Sequence, residues 1–166
     1  MKYGETFDML YAKIKNRLFS EGNMPPRSSA SYPYYWNRTV TLYNKITVQN
    51  KTEWVRHVIK NVFYSAKHTE QLNQNTMFHA TSYIVRIPQN DFYVPKSKYT
   101  DFGNTFTLNV GDIIFFGEIT EEIDEYINGK RSNDILAKHT GECFIVKFFA
   151  EDTQIKGLEH YRIEGA

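Results

Sequence analysis

The chain has 166 residues, which is long enough for one domain with a hydrophobic core. Its 20 Lys and Arg residues and 19 Asp and Glu residues give a net charge of +1, which argues against a protein whose main task is to wrap nucleic acid. No apolar stretch approaches the ~20 residues that span a bilayer, and the first residues lack a signal-peptide core. We therefore expect a protein that is neither membrane-bound nor secreted, and the single Cys143 excludes an intrachain disulfide.

The N-terminal part, residues 1–38, predicts a helix followed by an extended arm. Residues 5–20 have helical spacing, with one apolar stripe made of Phe7, Leu10, Tyr11, Ile14 and Leu18. The prolines of the next segment exclude a helix, so that segment is expected to be extended. Four aromatic side chains at its end are too apolar to remain in water and are expected to dock on this chain's own barrel or on a neighbour: Tyr32, Tyr34, Tyr35 and Trp36.

From Thr39 the hydrophobic period changes to two, which predicts strands. The first strand alternates from Val40 to Val48, and a hairpin turn is expected at Asn50-Lys51. Residues 54–64 are consistent with one bent strand or two short strands. Residues 71–74 are polar and predict a loop, and the strand after them ends at Pro88, which lacks a backbone N–H.

The second half continues this pattern with one helical insertion. Residues 89–104 predict a long loop, a turn follows at residues 109–112, and Ile113 to Phe116 form a central strand. Ser132 is expected to cap a two-turn helix, and two further strands complete the chain. Residues 39–166 are thus predicted to be one mainly β domain, a small β-barrel or a twisted sandwich with a short inserted helix.

Candidate catalytic and metal-binding groups are scattered. The five His residues show no i, i+4 pair and the chain has no Cys pair, so no metal site is expected. Cys143 with a His would suit a nucleophile, but it precedes the apolar residues 144–146, and a buried structural thiol is inert. Gly111-Asp112 and Gly117 do not form a phosphate-binding loop, because no glycine-rich run precedes a helix. We expect neither an enzyme nor a cofactor.

An acidic cluster follows the central strand. It lacks the spacing of a calcium loop, so it predicts a solvated face or one half of a charge-complementary contact between subunits. The basic partner of such a contact would be Lys130-Arg131 or Arg27. Four of its members are candidate rim charges of an interface: Glu121, Glu122, Asp124 and Glu125.

Aromatic and basic residues also interleave in the arm, in the stretch YPYYWNR. Such a stretch can stack against bases, so an alternative function is a monomeric β-barrel that binds single-stranded nucleic acid. The plainer interpretation is an interface arm, because proline-enforced extension with aromatic anchors suffices for it. We prefer the interface arm and keep nucleic-acid binding as the alternative.

The order of short motifs from residue 39 onward resembles a family of minor structural proteins of tailed phages and prophages of Firmicutes. These motifs are VTLYNKI, Trp54, IKNVFY, Ile87-Pro88, Tyr93-Val94-Pro95, FTLNVGDIIFFGEI, SNDIL and HYRIEG. Each motif is short, and their shared order carries the resemblance. The chain departs from the family in its shorter C-terminal end and in the loop at residues 69–78, features that fit a specialised relative such as the collar of a phage-tail-like bacteriocin.

This resemblance implies a head–tail connector, stopper, neck or collar protein that assembles into a homo-oligomeric ring. It implies contacts with neighbouring neck, portal, tail-tube or sheath proteins, and no membrane. Nucleic acid would be met only as it passes through the lumen of a true phage. The expected location is the virion or phage-tail-like particle, assembled in the bacterial cytoplasm. The four arm aromatics would then be intersubunit anchors, and the acidic segment would face a neighbour.

Overall fold

The computed structural model describes residues 32–73 and 76–166. These residues form a closed antiparallel barrel of six strands with one short α-helix and a 3-10 helix at Lys96–Lys98. This confirms the mainly β prediction and selects the barrel over the sandwich. The predicted helix over residues 5–20 lies outside the described residues. Within the described part of the chain, no helix combines the length and apolarity needed to cross a membrane.

The strands are β1 (Arg38–Val48), β2 (Lys51–Asn73), β3 (Thr76–Pro88), β4 (Ile113–Phe116), β5 (Cys143–Asp152) and β6 (His160–Gly165), and the helix α1 spans Ser132–Lys138. The order around the barrel is β1-β2-β3-β6-β5-β4, and β4 pairs back to β1. The first three strands therefore form a meander, whereas β6 enters between β3 and β5.

Strand alternation divides the apolar side chains between two cores. The barrel interior holds Val40 and Leu42 of β1 together with residues such as Ile59, Val85 and Ile114. The outer core lies against β1 and β4, where Tyr43, Ile113 and Phe115 are covered by Ile123 and by Ile135 of α1. The stretch IIFF is apolar throughout because both faces of β4 are buried, and each such side chain contributes ~1.5–3 kcal/mol on burial.

The structure corrects three local predictions and decides between the alternatives of a fourth. The first hairpin turn is formed by Gln49 and Asn50, which have φ of 49° and 64°, one residue earlier than predicted. Residues 54–64 belong to one strand, β2, with a positive φ of 59° at Asn61. The prediction of a loop at residues 71–74 was wrong for residues 71–73, which continue β2. The residue that caps α1 is Arg131, and Ser132 is the first helical residue.

The strands β2 and β3 continue past the barrel as a two-stranded ribbon. Pairing of β2 with β1 stops at Val62, and pairing of β3 with β6 stops at Tyr83. The two strands nevertheless pair with each other from Lys67 opposite Ser82 to Asn73 opposite Thr76. We call residues 67–73 and 76–82 the ribbon.

Candidate functional site

Two aromatic side chains attach the end of the arm to the barrel. The Tyr32 hydroxyl donates a hydrogen bond to the backbone carbonyl of Glu159, just before β6. The Trp36 ring stacks on Phe63 of β2 at 6.2 Å between centroids and meets His160 of β6 edge-on at 5.4 Å. Of the two docking places predicted for the arm, these side chains use this chain's own barrel.

Tyr34 and Tyr35, which lie between Tyr32 and Trp36 in the chain, remain at the surface. The backbone N–H of Trp36 donates to the carbonyl of Pro33 at 3.0 Å, which closes a turn around them. Tyr34 is 91% exposed and Tyr35 is 48% exposed. Tyr35 meets Phe63 edge-on at 5.7 Å, and Tyr34 meets Tyr35 in the same way at 5.7 Å. This aromatic turn, residues 33–36, therefore presents two tyrosines on a fixed base.

Arginines lie on the outer side of β3 and β6 beside the aromatic turn. Arg86 and Arg162 are opposite each other in the β3–β6 register, and the Arg86 guanidinium lies 5.5 Å from the centroid of the Phe63 ring. Arg162 also approaches Glu164 at 3.3 Å and Asp152 at 3.9 Å. We call this side of the barrel, with Arg86 and Arg162, the arginine face.

The acidic segment, residues 118–125, covers the outer core on the other side. Glu121 accepts from Lys138 and is hydrogen-bonded to His139, and the bond from Lys138 holds the pKa of its carboxyl below the ordinary value. Glu125 accepts from the indole N–H of Trp54 at 2.7 Å. Arg56 lies 3.7 Å from Glu118, and this pair is partly exposed.

The acidic segment is therefore held by contacts within the chain. Asp124 accepts from the backbone N–H of Tyr126 at 2.9 Å, and Glu122 is half-buried. These contacts fix where the carboxylates lie, and their role as rim charges of an interface stays a prediction. Because the segment packs on β1 and β4, it lies opposite β3 and β6 in the six-strand order, and so opposite the arginine face.

A polar cluster that sequence reasoning missed lies inside one end of the barrel. The Asp112 carboxylate accepts three hydrogen bonds, from the backbone N–H of Lys45 at 2.9 Å, from that of Asn109 at 2.8 Å and from the Asn44 amide at 2.9 Å. Asn44 also donates to the carbonyl of Thr107 at 2.8 Å. Burial raises the pKa of Asp112 to about 6, although these hydrogen bonds oppose the shift.

His57 and Tyr99 form a second buried polar pair in the same region. The His57 ring nitrogen Nε2 lies 3.0 Å from the Tyr99 hydroxyl, and the ring also contacts Phe106. Burial and, to a smaller extent, the charge of the adjacent Arg56 lower the pKa of His57 to about 4. Burial also raises the pKa of the Tyr99 hydroxyl. The imidazole is therefore neutral at pH 7 and fixes the loop before β4 to β2.

The thiol of Cys143 is also held by a hydrogen bond within the chain. The Cys143 thiol donates to the carbonyl of His139 at 3.2 Å, and burial raises its pKa, which disfavours the thiolate. Among the described residues no group of three or more His, Cys, Asp and Glu side chains is arranged to hold a metal ion. The described residues form two opposite faces that differ in their side chains. One is the arginine face with the exposed tyrosines beside it, and the other is the acidic segment.

Comparison with known proteins yields a family and no function. Residues 35–166 match a family described as a family of unknown function, DUF6751. Neither the curated proteins nor the solved structures contain a match. The matched range includes Tyr35 and Trp36 of the aromatic turn together with the whole barrel.

Proposed function

We propose that this chain, which belongs to the family of unknown function DUF6751, is a structural protein that forms a ring at the neck or collar of a tailed phage or phage-tail-like bacteriocin. The observation that carries the proposal is the aromatic turn, which exposes Tyr34 and Tyr35 on a base fixed by Trp36. Exposed aromatic side chains that lose no further freedom on docking are the usual anchors of protein interfaces.

The opposite placement of the two faces supports a ring. A cyclic assembly in which each subunit contacts the next needs two different patches on each subunit. Here the arginine face and the acidic segment lie on opposite sides of a closed barrel. The arginine face presents the guanidinium groups of Arg86 and Arg162, and the acidic segment presents carboxylates. Arg162 is paired with Asp152 and Glu164, and Glu121 is paired with Lys138, so Arg86 and the remaining carboxylates carry the difference in charge. Charge complementarity of this kind selects the orientation of neighbours more than it adds affinity.

The remaining parts of the proposal come from the sequence resemblance. The ring joins or caps the tail as a head–tail connector or stopper, and it contacts neck, portal, tail-tube or sheath proteins. It assembles in the bacterial cytoplasm and becomes part of the particle. Nucleic acid passes through its lumen only when the particle has a head. The ring needs no cofactor, because its role is to bind neighbouring subunits and particle proteins.

Replacing both Tyr34 and Tyr35 with Ser is expected to convert a ring into monomers. Loss of one aromatic anchor weakens each subunit contact by about 2 kcal/mol, which is roughly thirtyfold in the dissociation constant. Light scattering at low and high salt should give a multiple of 19.5 kDa for the wild type and 19.5 kDa for the variant.

The matched control is Ile155→Ser, which removes an apolar side chain that is 64% exposed in the turn between β5 and β6. This variant should keep the wild-type mass, because it removes exposed apolar surface but leaves both tyrosines of the aromatic turn in place. An unchanged mass for the double Tyr variant would contradict the anchoring role of the aromatic turn.

The alternative function is binding of single-stranded nucleic acid by a monomer. It is favoured by Arg38, whose guanidinium lies 4.7 Å from the centroid of the Tyr64 ring and which follows the exposed tyrosines in the chain. This alternative predicts that a fluorescent oligothymidylate binds the monomer, that binding collapses with salt, and that the double Tyr variant loses it. A protein that forms a ring and does not bind the oligonucleotide would exclude this alternative function.

A further inference from the structure

The ribbon leaves both of its long edges unpaired among the described residues. Its seven residue pairs extend about 23 Å at ~3.3 Å per residue, beyond the last residues that pair with β1 or β6. A two-stranded ribbon is marginally stable alone, and each unpaired edge presents a row of backbone N–H and C=O groups. A structure of this kind gains stability when another strand is added to its edge.

The ribbon also lacks the usual devices that keep edges from pairing. Residues 67–73 and 76–82 contain no Pro, and their only Lys, Arg, Asp or Glu residues are Lys67 and Glu70. Their register runs without a bulge from Lys67 to Asn73, whereas β1–β2 and β5–β6 each contain a register shift. Proteins that keep an edge free protect it with Pro, charges or bulges. These edges are therefore suited to strand addition.

The strand that suits such an edge is the ribbon of a second copy of the chain. Each edge of the ribbon spans seven residues, and a second copy presents an edge of the same length. The pairing from Lys67 opposite Ser82 to Asn73 opposite Thr76 is regular, so two such edges can match along their whole length.

We infer that neighbouring copies join edge to edge, with the β3 edge of one ribbon paired to the β2 edge of the next. This inference rests on the proposed ring. When all copies point the same way, β2 runs away from the barrel and β3 runs back towards it, so the new pair is antiparallel. Each copy has one edge of each kind, and a closed ring therefore leaves no ribbon edge unpaired.

The charges of the barrels favour the same arrangement. In the strand order the β2 edge of the ribbon lies on the side of β1, and the β3 edge lies on the side of β6. Copies that join through these edges bring the acidic segment, which covers β1 and β4, towards the arginine face on β3 and β6 of the next copy. The two contacts are therefore compatible with one and the same orientation of neighbours.

The test shortens the ribbon and leaves the barrel intact. Replacing residues 67–82 with Asn-Gly joins Ala66 to Tyr83, which are already opposite each other, through a two-residue hairpin turn. Of the deleted residues whose burial the structure describes, 67, 68 and 80 are exposed and 81 and 82 are half-buried. We expect a β-rich circular dichroism spectrum and cooperative unfolding like those of the wild type, and a mass that falls from the ring to that of one shortened chain, which is 14 residues shorter than the 19.5 kDa wild type.

Each result of this experiment decides a different claim. A ring of wild-type mass formed by the shortened variant overturns the ribbon inference and leaves the proposed function standing. A wild-type chain that is monomeric at every concentration overturns the self-assembly on which both depend. If the shortened variant does not fold, the cross-linking experiment below decides in its place.

Cross-linking distinguishes the predicted contact from a symmetric one. In a Cys143→Ser background, Lys67→Cys marks the β2 edge and Ala80→Cys marks the β3 edge, and both side chains are exposed. A short bismaleimide should link the two variants to each other when they are mixed, and neither variant to itself. Linking of Lys67→Cys only to itself would mean that two β2 edges pair, which would overturn the inference.

Discussion

Replacing Asp112 with Asn is expected to destabilise the barrel by about 1–3 kcal/mol at pH 7. One carboxylate oxygen accepts from the Lys45 N–H, and the other accepts from Asn109 and Asn44. An amide has only one acceptor oxygen, so its NH₂ group must face a buried donor on one side. The lost hydrogen bonds and the orphaned donors outweigh the gain from removing a buried charge.

The measurement is urea unfolding at pH 7, with the midpoint and slope compared with those of the wild type. The control is Asp91→Asn, the same chemical change at an exposed position in the loop after β3, which should stay within ~0.5 kcal/mol. An Asp112→Asn midpoint equal to that of the wild type would show that the cluster does not depend on two acceptor oxygens.

The second large effect is a pair of opposite pH dependences. His57 has its pKa lowered from 6.5 to about 4, so its contribution to stability is lost as the pH falls from 6.5 through 4. Asp112 has its pKa raised from 3.8 to about 6, so its contribution is lost as the pH rises from 3.8 through 6. Each shift corresponds to roughly 3 kcal/mol, because one pKa unit equals about 1.4 kcal/mol.

In the wild type the two contributions oppose each other between pH 4 and 6, so their sum should be nearly flat. His57→Gln keeps a hydrogen-bonding group near Tyr99 but removes the titration, and its free energy of unfolding should fall as the pH rises from 4 to 6. In the Asp112→Asn variant only His57 of the two groups still titrates, and the free energy of unfolding of this variant should rise from pH 4 to 6.5. Unfolding of both variants at four pH values across this window measures the two slopes.

The control for this pair is His68→Gln, because His68 is exposed on β2 and contacts the Thr81 hydroxyl at 3.0 Å. Its pH profile should match that of the wild type. Equal slopes for the His57 and Asp112 variants would mean that neither buried group is the source of the pH dependence.

Those features of the fold that depend on local sequence could be predicted. Ile113–Phe116 is a strand because both of its faces are buried, and Pro88 ends β3 because it lacks the donor that the next pair needs. The choice between barrel and sandwich depends on pairing between distant residues, such as Tyr43 with Ile113, which no local pattern encodes. Gln71 and Asn73 indicated a loop at residues 71–74, and pairing with β3 makes residues 71–73 a strand.

The candidate site shows the same division. The apolar character of the arm predicted that its aromatic side chains would dock. Where Trp36 docks depends on its contacts with Phe63 and His160, which are distant from it in the sequence. The cluster of Asn44 and Asp112 joins distant parts of the chain and was missed. One signal was present, because Asn44 follows Val40 and Leu42 at the inward positions of an alternating strand, where a polar residue needs a buried partner.

The insertion of β6 between β3 and β5 has a consequence for how the chain folds. The meander of β1 to β3 can form from near neighbours in sequence, but the pairings of Pro88 with His160 and of Tyr43 with Ile113 must each close a long loop. We therefore expect slow folding in which β6 enters last. Until β6 enters, β3 and β5 each have an unpaired edge. We expect that the β6 strand of another copy can pair with these edges in place of the chain's own β6, which would produce a domain-swapped dimer.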